Sequence, residues 1–312
     1  MSEILYDVLI IGGGPAGLTA GLYTSRAKLK TLLVERMILG GQVMTTTKVE
    51  NYPGFPGGID GPELMMRFQE HCQEFGLETI TGEVTGLVDN GKEKLVTIDQ
   101  SEVRTRSVII TTGAEPSKLG VPGEVELTGR GVSYCATCDG AFFRDVPVAI
   151  VGGGDTAAEE ALFLSRFASK VYLVHRRDQL RATKVLQDRI FANDKIEPVW
   201  NCVVEEAVGD NSGVTSLVLR NRRDDSRQSL EVAGMFVAIG VTPKAHFLAE
   251  ILELDQEGYI LTDSDCQTSI PGVFAAGDVR KKILKQIATA VGDGAIAAIV
   301  AEKYLDDLEH SG

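Results

Sequence analysis

Cys135 and Cys138 stand three positions apart in Ser133-Tyr-Cys-Ala-Thr-Cys-Asp-Gly-Ala-Phe-Phe143, with an acid directly after the second thiol. A Cys-x-x-Cys pair can hold a metal, staple a loop or carry two electrons. A structural zinc site needs four ligands, typically a second such pair or two histidines. Here Cys72, Cys202 and Cys266 stand alone and the four histidines (71, 175, 246 and 310) are scattered, so no metal is expected. His71-Cys72 is adjacent, but on a helix-like segment neighbours point different ways. A structural disulfide closing so small a loop gains little and does not persist under reducing conditions. Electron transfer is favoured if the chain can also hold the groups that deliver electrons.

Two stretches supply those groups. Tyr6-Asp-Val-Leu-Ile-Ile11 reads as a buried strand, followed by Gly12-Gly-Gly-Pro-Ala-Gly17, a helix from Leu18 to Ala27 and a second strand ending in Glu35. The pattern returns 140 positions later: Val146 to Val151, Gly152-Gly-Gly-Asp-Thr-Ala157, a helix to about Ala168 and a strand from Lys170 to Val174. Strand, glycine turn, helix and strand form the opening of a dinucleotide-binding unit. The glycines allow the backbone close to a pyrophosphate, and the helix N-terminus offers it unpaired N–H groups and a positive dipole end. One such turn is weak evidence, whereas two in the right context are strong.

The end of the second strand separates the two units. Counting 23 residues from the first glycine gives Glu35 in one case and His175 in the other, with Arg176, Arg177 and Arg181 following His175. A carboxylate there bonds free ribose hydroxyls, whereas arginine forks suit a 2′-phosphate. The first unit therefore suits FAD or NAD, and the second NADPH. Later, Thr268 to Asp278 reads as a short strand ending in Gly277-Asp278, a place from which a carboxylate can reach a flavin's ribityl hydroxyls.

The 312 residues suggest about two domains. Ile109-Ile-Thr-Thr-Gly-Ala-Glu-Pro116 and Phe236-Val-Ala-Ile-Gly-Val-Thr-Pro243 look alike, as if the chain crosses twice between domains and the middle is an insertion. Between Cys202 and Gly234, short strand-like runs broken by polar turns predict a meander of hairpins. A formal net charge of −13 argues against nucleic acid and anionic membrane as partners. No run of about 18 apolar residues predicts a membrane span. Five cysteines, an odd number, fit a reducing cytoplasm better than a disulfide framework.

Together these residues resemble the bacterial low-molecular-weight thioredoxin reductases, of the class II pyridine nucleotide-disulfide oxidoreductases, over essentially the whole chain. The resemblance implies an α/β fold of two Rossmann-like, three-layer β/β/α domains. The NADPH domain (116–245) is inserted into a discontinuous FAD domain (1–115 and 246–312). FAD contacts carried over are Gly12, Gly14, Pro15, Ala16, Gly17, Glu35, Arg36, Gly41, Gln42, Asn51, Thr112, Gly113, Gly277 and Asp278. Lys285, Gln286 and Ile287 join them, with one departure: the family usually has Arg where Lys285 stands. The NADPH set is Gly152, Gly154, Asp155, Thr156, Ala157, His175, Arg176, Arg177, Arg181, Ile239 and Gly240.

The implied activity passes electrons from NADPH through FAD to a Cys135/Cys138 disulfide and on to the disulfide of thioredoxin or a similar small dithiol protein. Cys138 would face the flavin and Cys135 would attack the partner. Asp139 would serve as general acid and base, because exchange must protonate a leaving thiolate and deprotonate an attacking thiol. The inserted domain would rotate on its two crossings to alternate what faces the flavin. Arg130, Phe142 and Phe143 are the candidate partner contacts, the two aromatics being equally suited to the core. A cytoplasmic homodimer completes the expectation, the dimer resting on the family alone.

Overall fold

The computed structural model describes residues 4–46 and 48–310. The chain forms two compact units, one running to Glu115 and resuming at Thr242, the other spanning Pro116–Val241. In the first, β1 (Leu5–Ile11) leads through the glycine turn into α1 (Pro15–Arg26) and β2 (Thr31–Glu35). Pro15 at the start of α1 costs nothing, because its missing N–H would have no partner in the helix. Next come α2 (Gly61–Glu74), whose first turn is capped by the Asp60 carboxylate, and β3 (Glu78–Thr81). A meander of β4 (Val84–Asp89), β5 (Lys94–Ile98) and β6 (Ser101–Ile110) follows, then the short β7 (Ala114–Pro116).

The second unit begins with β8 (Val132–Ser133) and the single turn α3 (Ala136–Asp139). It continues with β9 (Pro147–Gly152), α4 (Asp155–Leu164), β10 (Lys170–His175), α5 (Lys184–Phe191) and β11 (Ile196–Trp200). The hairpin strands β12 (Cys202–Asp210), β13 (Gly213–Asn221) and β14 (Arg227–Glu231) pair antiparallel, as the broken apolar runs predict. β15 (Gly234–Ala238) returns beside β9. The chain leaves through β16 (Val241–Pro243), which pairs with β7, and ends with β17 (Val273–Ala275) and α6 (Ile287–His310).

Each unit repeats one plan. In the first the parallel order is β3-β2-β1-β6, with β17 on the far side of β6; in the second it is β11-β10-β9-β15-β8. Each glycine turn leaves the C-terminal end of a strand that has neighbours on both sides, where open α/β sheets place their ligands. β6 serves two partners along one edge: Ser101–Thr105 pairs antiparallel with β5 and Val108–Ile110 parallel with β17. In the first unit α1 and α6 pack together so closely that a Cβ on Gly294 would lie 2.3 Å from the Ala16 carbonyl oxygen. Leu18, Leu64, Met65 and Phe274 are buried in the core they share with α2. No described helix is long and apolar enough to cross a membrane.

Candidate active site

β8 delivers the redox turn. Ser133 ends that strand, Cys135 is the N-cap of α3, and a disulfide joins Cys135 to Cys138. The Ser133 hydroxyl accepts from the Cys135 N–H at 3.1 Å and donates to Asp139 Oδ2 at 2.7 Å. Burial pushes the Asp139 carboxyl above its ordinary value, and the Ser133 hydrogen bond offsets part of that rise. Asp139 is thus a half-buried acid tied to the turn. Two further acids contribute that the sequence reading does not single out. Glu124, fully buried, accepts from the Leu119 and Gly120 N–H groups and from the Tyr134 hydroxyl, next to Cys135. Glu160, on α4, lies close enough to the Ala136 N–H, between the two cysteines, for that amide to favour its charged form, while its Oε2 is buried with no hydrogen-bond partner. Its sequence signal is an acid three residues after Ala157 and four before Leu164, both buried, hence on the apolar side of α4.

The two phenylalanines part company. Phe143 packs edge-on against Phe236 at 5.2 Å, and a Cβ on Gly234 would lie 2.4 Å from its ring. Phe142 remains 45% exposed. Arg130 is exposed, with Nη2 donating to the Glu126 carbonyl.

In the first unit, Gly12 takes φ +107°, and a Cβ there would lie 2.6 Å from the Thr111 carbonyl oxygen. Gly17 allows α1 its approach, since a Cβ would meet the Gly12 carbonyl oxygen at 1.9 Å. Above Gly14 there is open space. Glu35 ends β2 and accepts from the Gly13 N–H at 2.7 Å, so the predicted ribose acid borders the glycine turn. Arg36 beside it pairs with Glu83. Gln42 donates to the Ala114 carbonyl, and Asn51 donates to Gln286 at 2.9 Å, joining loops 235 residues apart. Thr112 donates to the Lys244 carbonyl and Gly113 takes φ +72°.

Asp278 Oδ1 is buried without a partner, and burial raises this carboxyl despite Lys282 and Lys285 nearby. Burial also lowers the Lys285 ammonium, which lies 4.0 Å from the centre of the Tyr259 ring. The basic run Arg280-Lys281-Lys282 is matched by carboxylates from two other segments. Asp293 of α6 pairs with Arg280 at 3.2 Å and Lys282 at 2.9 Å, and also accepts from the Gly277 N–H at 3.0 Å. Lys281 turns to Asp255 at 2.8 Å. These cations brace the Gly277-Asp278 turn. The open glycine cradle and the orphaned Asp278 oxygen fit a hydroxyl-rich, pyrophosphate-bearing group such as FAD.

The second glycine turn is built likewise. A Cβ on Gly152 would lie 2.4 Å from the Ala238 carbonyl oxygen, and Gly154 faces open space. His175 replaces Glu35 in position but not in manner: it is 5% exposed, and a Cβ on Gly153 would lie 2.2 Å from its ring. Burial lowers its pKa, and its Nε2 is buried without a partner. Arg176, Arg177 and Arg181 are exposed around it. Arg181 and Ala182 donate their N–H groups to the Gly153 carbonyl at 2.7 and 3.2 Å. Thr183 donates to Asp155 Oδ1 at 2.7 Å, so the end of the arginine loop at Arg181 is tied to the turn. Thr156 is exposed and Ala157 buried, and Ile239 and Gly240 are exposed where β15 ends. Three exposed arginines around an open glycine cradle fit a phosphorylated dinucleotide. Among the described residues, no group of three or more His, Cys, Asp or Glu is arranged to hold a metal ion. Cys72, Cys202 and Cys266 are buried free thiols, each with its pKa raised by burial.

A disulfide turn and two nucleotide crevices on duplicated β/β/α units define a class, and the model of the pyridine nucleotide-disulphide oxidoreductase family matches residues 6–294. The chain belongs to that family. Thioredoxin reductase of Listeria innocua is 49% identical over 309 residues, covering 99% of this chain and 97% of its own. The structure of thioredoxin reductase from Streptococcus pyogenes overlays with a TM-score of 0.95 at 48% identity, covering 98% of this chain and all of that one. That of Lactococcus lactis thioredoxin reductase, in its FR conformation, gives 0.67 at 47% identity, covering 97% and 99%. Within the family, the chain stands with the low-molecular-weight thioredoxin reductases.

Proposed function

We infer that the protein is a thioredoxin-disulfide reductase, an NADPH-dependent flavoprotein. The Cys135–Cys138 disulfide, held in a turn with a half-buried acid at its end, carries the reading. When bound, NADPH and FAD together supply a pair of electrons as hydride equivalents. Arg176, Arg177 and Arg181 hold the 2′-phosphate, and Gly152, Gly154, Asp155, Thr156, Ala157, Ile239 and Gly240 shape the rest of that crevice. Buried His175 supports Gly153 from beneath. The first glycine turn with Glu35 and Arg36, Gly41, Gln42, Asn51, Thr112, Gly113, Gly277, Asp278 and residues 285–287 forms the FAD site.

Cys138 receives the electrons and Cys135 attacks the disulfide of thioredoxin, forming a mixed disulfide that Cys138 then resolves. Asp139 gives a proton to the thiolate that leaves and takes one from the thiol that attacks. Exposed Phe142 and Arg130 meet the protein partner, and Phe143 supports the loop from the core side. The inserted NADPH domain rotates on its two crossings between turns of the cycle. Support comes from two relatives that overlay on this chain with TM-scores of 0.95 and 0.67 at nearly equal identity, and so differ from each other in shape. A cytoplasmic homodimer is the proposed working form.

The test is NADPH oxidation by the purified yellow protein with each of the host's small dithiol proteins. Transfer to a thioredoxin that vanishes in Cys135→Ser and Cys138→Ser supports the reading. Full transfer by either variant overturns the disulfide's part in it.

A further inference from the structure

Glu160 is a carboxylate that the activity as described does not use. It projects from α4, which packs beneath the redox turn: a Cβ on Gly140 would meet Leu164 at 3.1 Å and Phe163 at 3.3 Å. Ala136, fully buried, shares a core cluster with Ala157, Ala161 and Leu164 of that helix. Into this contact Glu160 brings one oxygen within reach of the Ala136 N–H and a second that is buried and unpartnered. A solvent-facing acid on α4 would have avoided the cost of burying that oxygen. Retaining it against the segment between two redox cysteines calls for a reason in the chemistry of that segment.

We propose that Glu160 is a positioning residue for the redox pair, anchoring the turn through the Ala136 amide and setting by its charge how readily the disulfide is reduced. The inference rests on the reading that Cys135 and Cys138 cycle. Reduction adds two electrons and breaks the Sγ–Sγ bond. It places either two protons, or one proton and one negative charge, on the pair. The electrons are those that NADPH oxidation supplies. The disulfide is neutral, whereas the reduced pair carries thiolate charge. A fixed carboxylate nearby therefore disfavours the reduced form and raises the thiol pKa.

The Ala136 nitrogen is bonded to the Cys135 carbonyl carbon, so bond lengths keep Cys135 Sγ within roughly 8 Å of the accepting oxygen. At an effective dielectric near 20, a unit charge at such a distance shifts the equilibrium by about tenfold or more. Burial lifts the Glu160 carboxyl to about 7, helped by Glu159 on the same helix and opposed by the Ala136 hydrogen bond. The charge is therefore in place at a pH well above neutral.

The experiment equilibrates the holoenzyme, wild type and variants, with a reference dithiol at such a pH and reads the thiol content of the pair. Glu160→Gln keeps the shape and an acceptor for Ala136 but removes the charge. It is expected to move the equilibrium about tenfold toward the dithiol, roughly 30 mV for two electrons. Glu160→Ala moves it the same way and also speeds hydrogen exchange at the Ala136 amide, which Glu160→Gln leaves protected. An equilibrium constant for Glu160→Gln within twofold of wild type overturns the electrostatic role. An Ala136 amide equally protected in Glu160→Ala overturns the anchoring role. A wild-type pair that never opens would instead sink the reductase reading, so the two failures are distinguishable.

Discussion

Asp155→Ala separates the glycine turn of the second unit from the loop that carries Arg181. In the wild type, Asp155 Oδ1 accepts from the Thr183 N–H at 2.7 Å, and Gly153 takes the Arg181 and Ala182 N–H groups at 2.7 and 3.2 Å. Alanine removes the carboxylate bond and leaves the two bonds to Gly153. A hydrogen bond to a charged acceptor contributes about 1.5–3 kcal/mol, and Asp155 is solvent-exposed, so roughly 1 kcal/mol is a fair figure. That corresponds to an about fivefold weaker hold on Arg181, about the factor by which the NADP+ dissociation constant should rise. NAD+, which lacks the 2′-phosphate, should lose less, so the preference for NADP+ falls by several-fold. Asp155→Asn keeps Oδ1 and sheds a negative charge close to the phosphates, so it should bind NADP+ at least as well as wild type. Isothermal titration calorimetry with both nucleotides measures all three proteins. Unchanged NADP+ affinity in Asp155→Ala would refute the clamp, and Asp155→Asn as weak as the alanine variant would assign the effect to charge.

Gly17→Ala drives a Cβ to 1.9 Å from the Gly12 carbonyl oxygen; the purified variant should be colourless, and normal flavin absorbance would show that the turn can yield. Asp139→Asn removes the proton exchanger but keeps an acceptor for Ser133, so reduction of thioredoxin should fall ~100-fold or more with flavin content unchanged; equal turnover would end the catalytic role of Asp139. Glu160 has an ordinary value of 4.5 that burial raises to about 7. Its raised folded pKa favours the fold below the ordinary value, and that advantage is lost as pH rises through the folded one. Glu160→Gln should therefore raise the melting temperature near pH 8, by roughly 1–2 kcal/mol of stability after screening, and little near pH 5; equal shifts at both pH values would contradict the assignment.

The parallel halves of both units are legible in the sequence because each pairs an unbroken buried strand with a glycine turn that only a few folds require. The first meander is not. β4 buries only Leu87 among exposed and partly buried positions, and its pairing with β5 shows only when the ladder is formed. The paired phenylalanines illustrate a local limit: adjacent residues of one type carry no mark of which side faces in. Gly234, some ninety positions on, makes room for Phe143 and not Phe142. The basic run 280–282 reads as a surface anomaly until Asp255 and Asp293 arrive from either side in sequence. His175 is found by counting, but its burial is not, because a histidine serves equally as a ligand and as a packing group. Glu160 leaves a faint trace as an acid on an apolar stripe, and its meaning depends on the turn packed above it.

The shared edge of β6 also fixes an order of events on the ribosome. The second unit is one uninterrupted stretch, Pro116–Val241, and can close as soon as it has emerged. The first cannot, because β17 must pair with Val108–Ile110 and α6 must cover α1, and both follow the second unit in the chain. Until then the C-terminal half of that β6 edge is an open row of backbone donors and acceptors, the kind of surface that recruits stray strands. The redox unit is therefore finished first, while the unit whose sequence it interrupts waits for β17 and α6 to seal it.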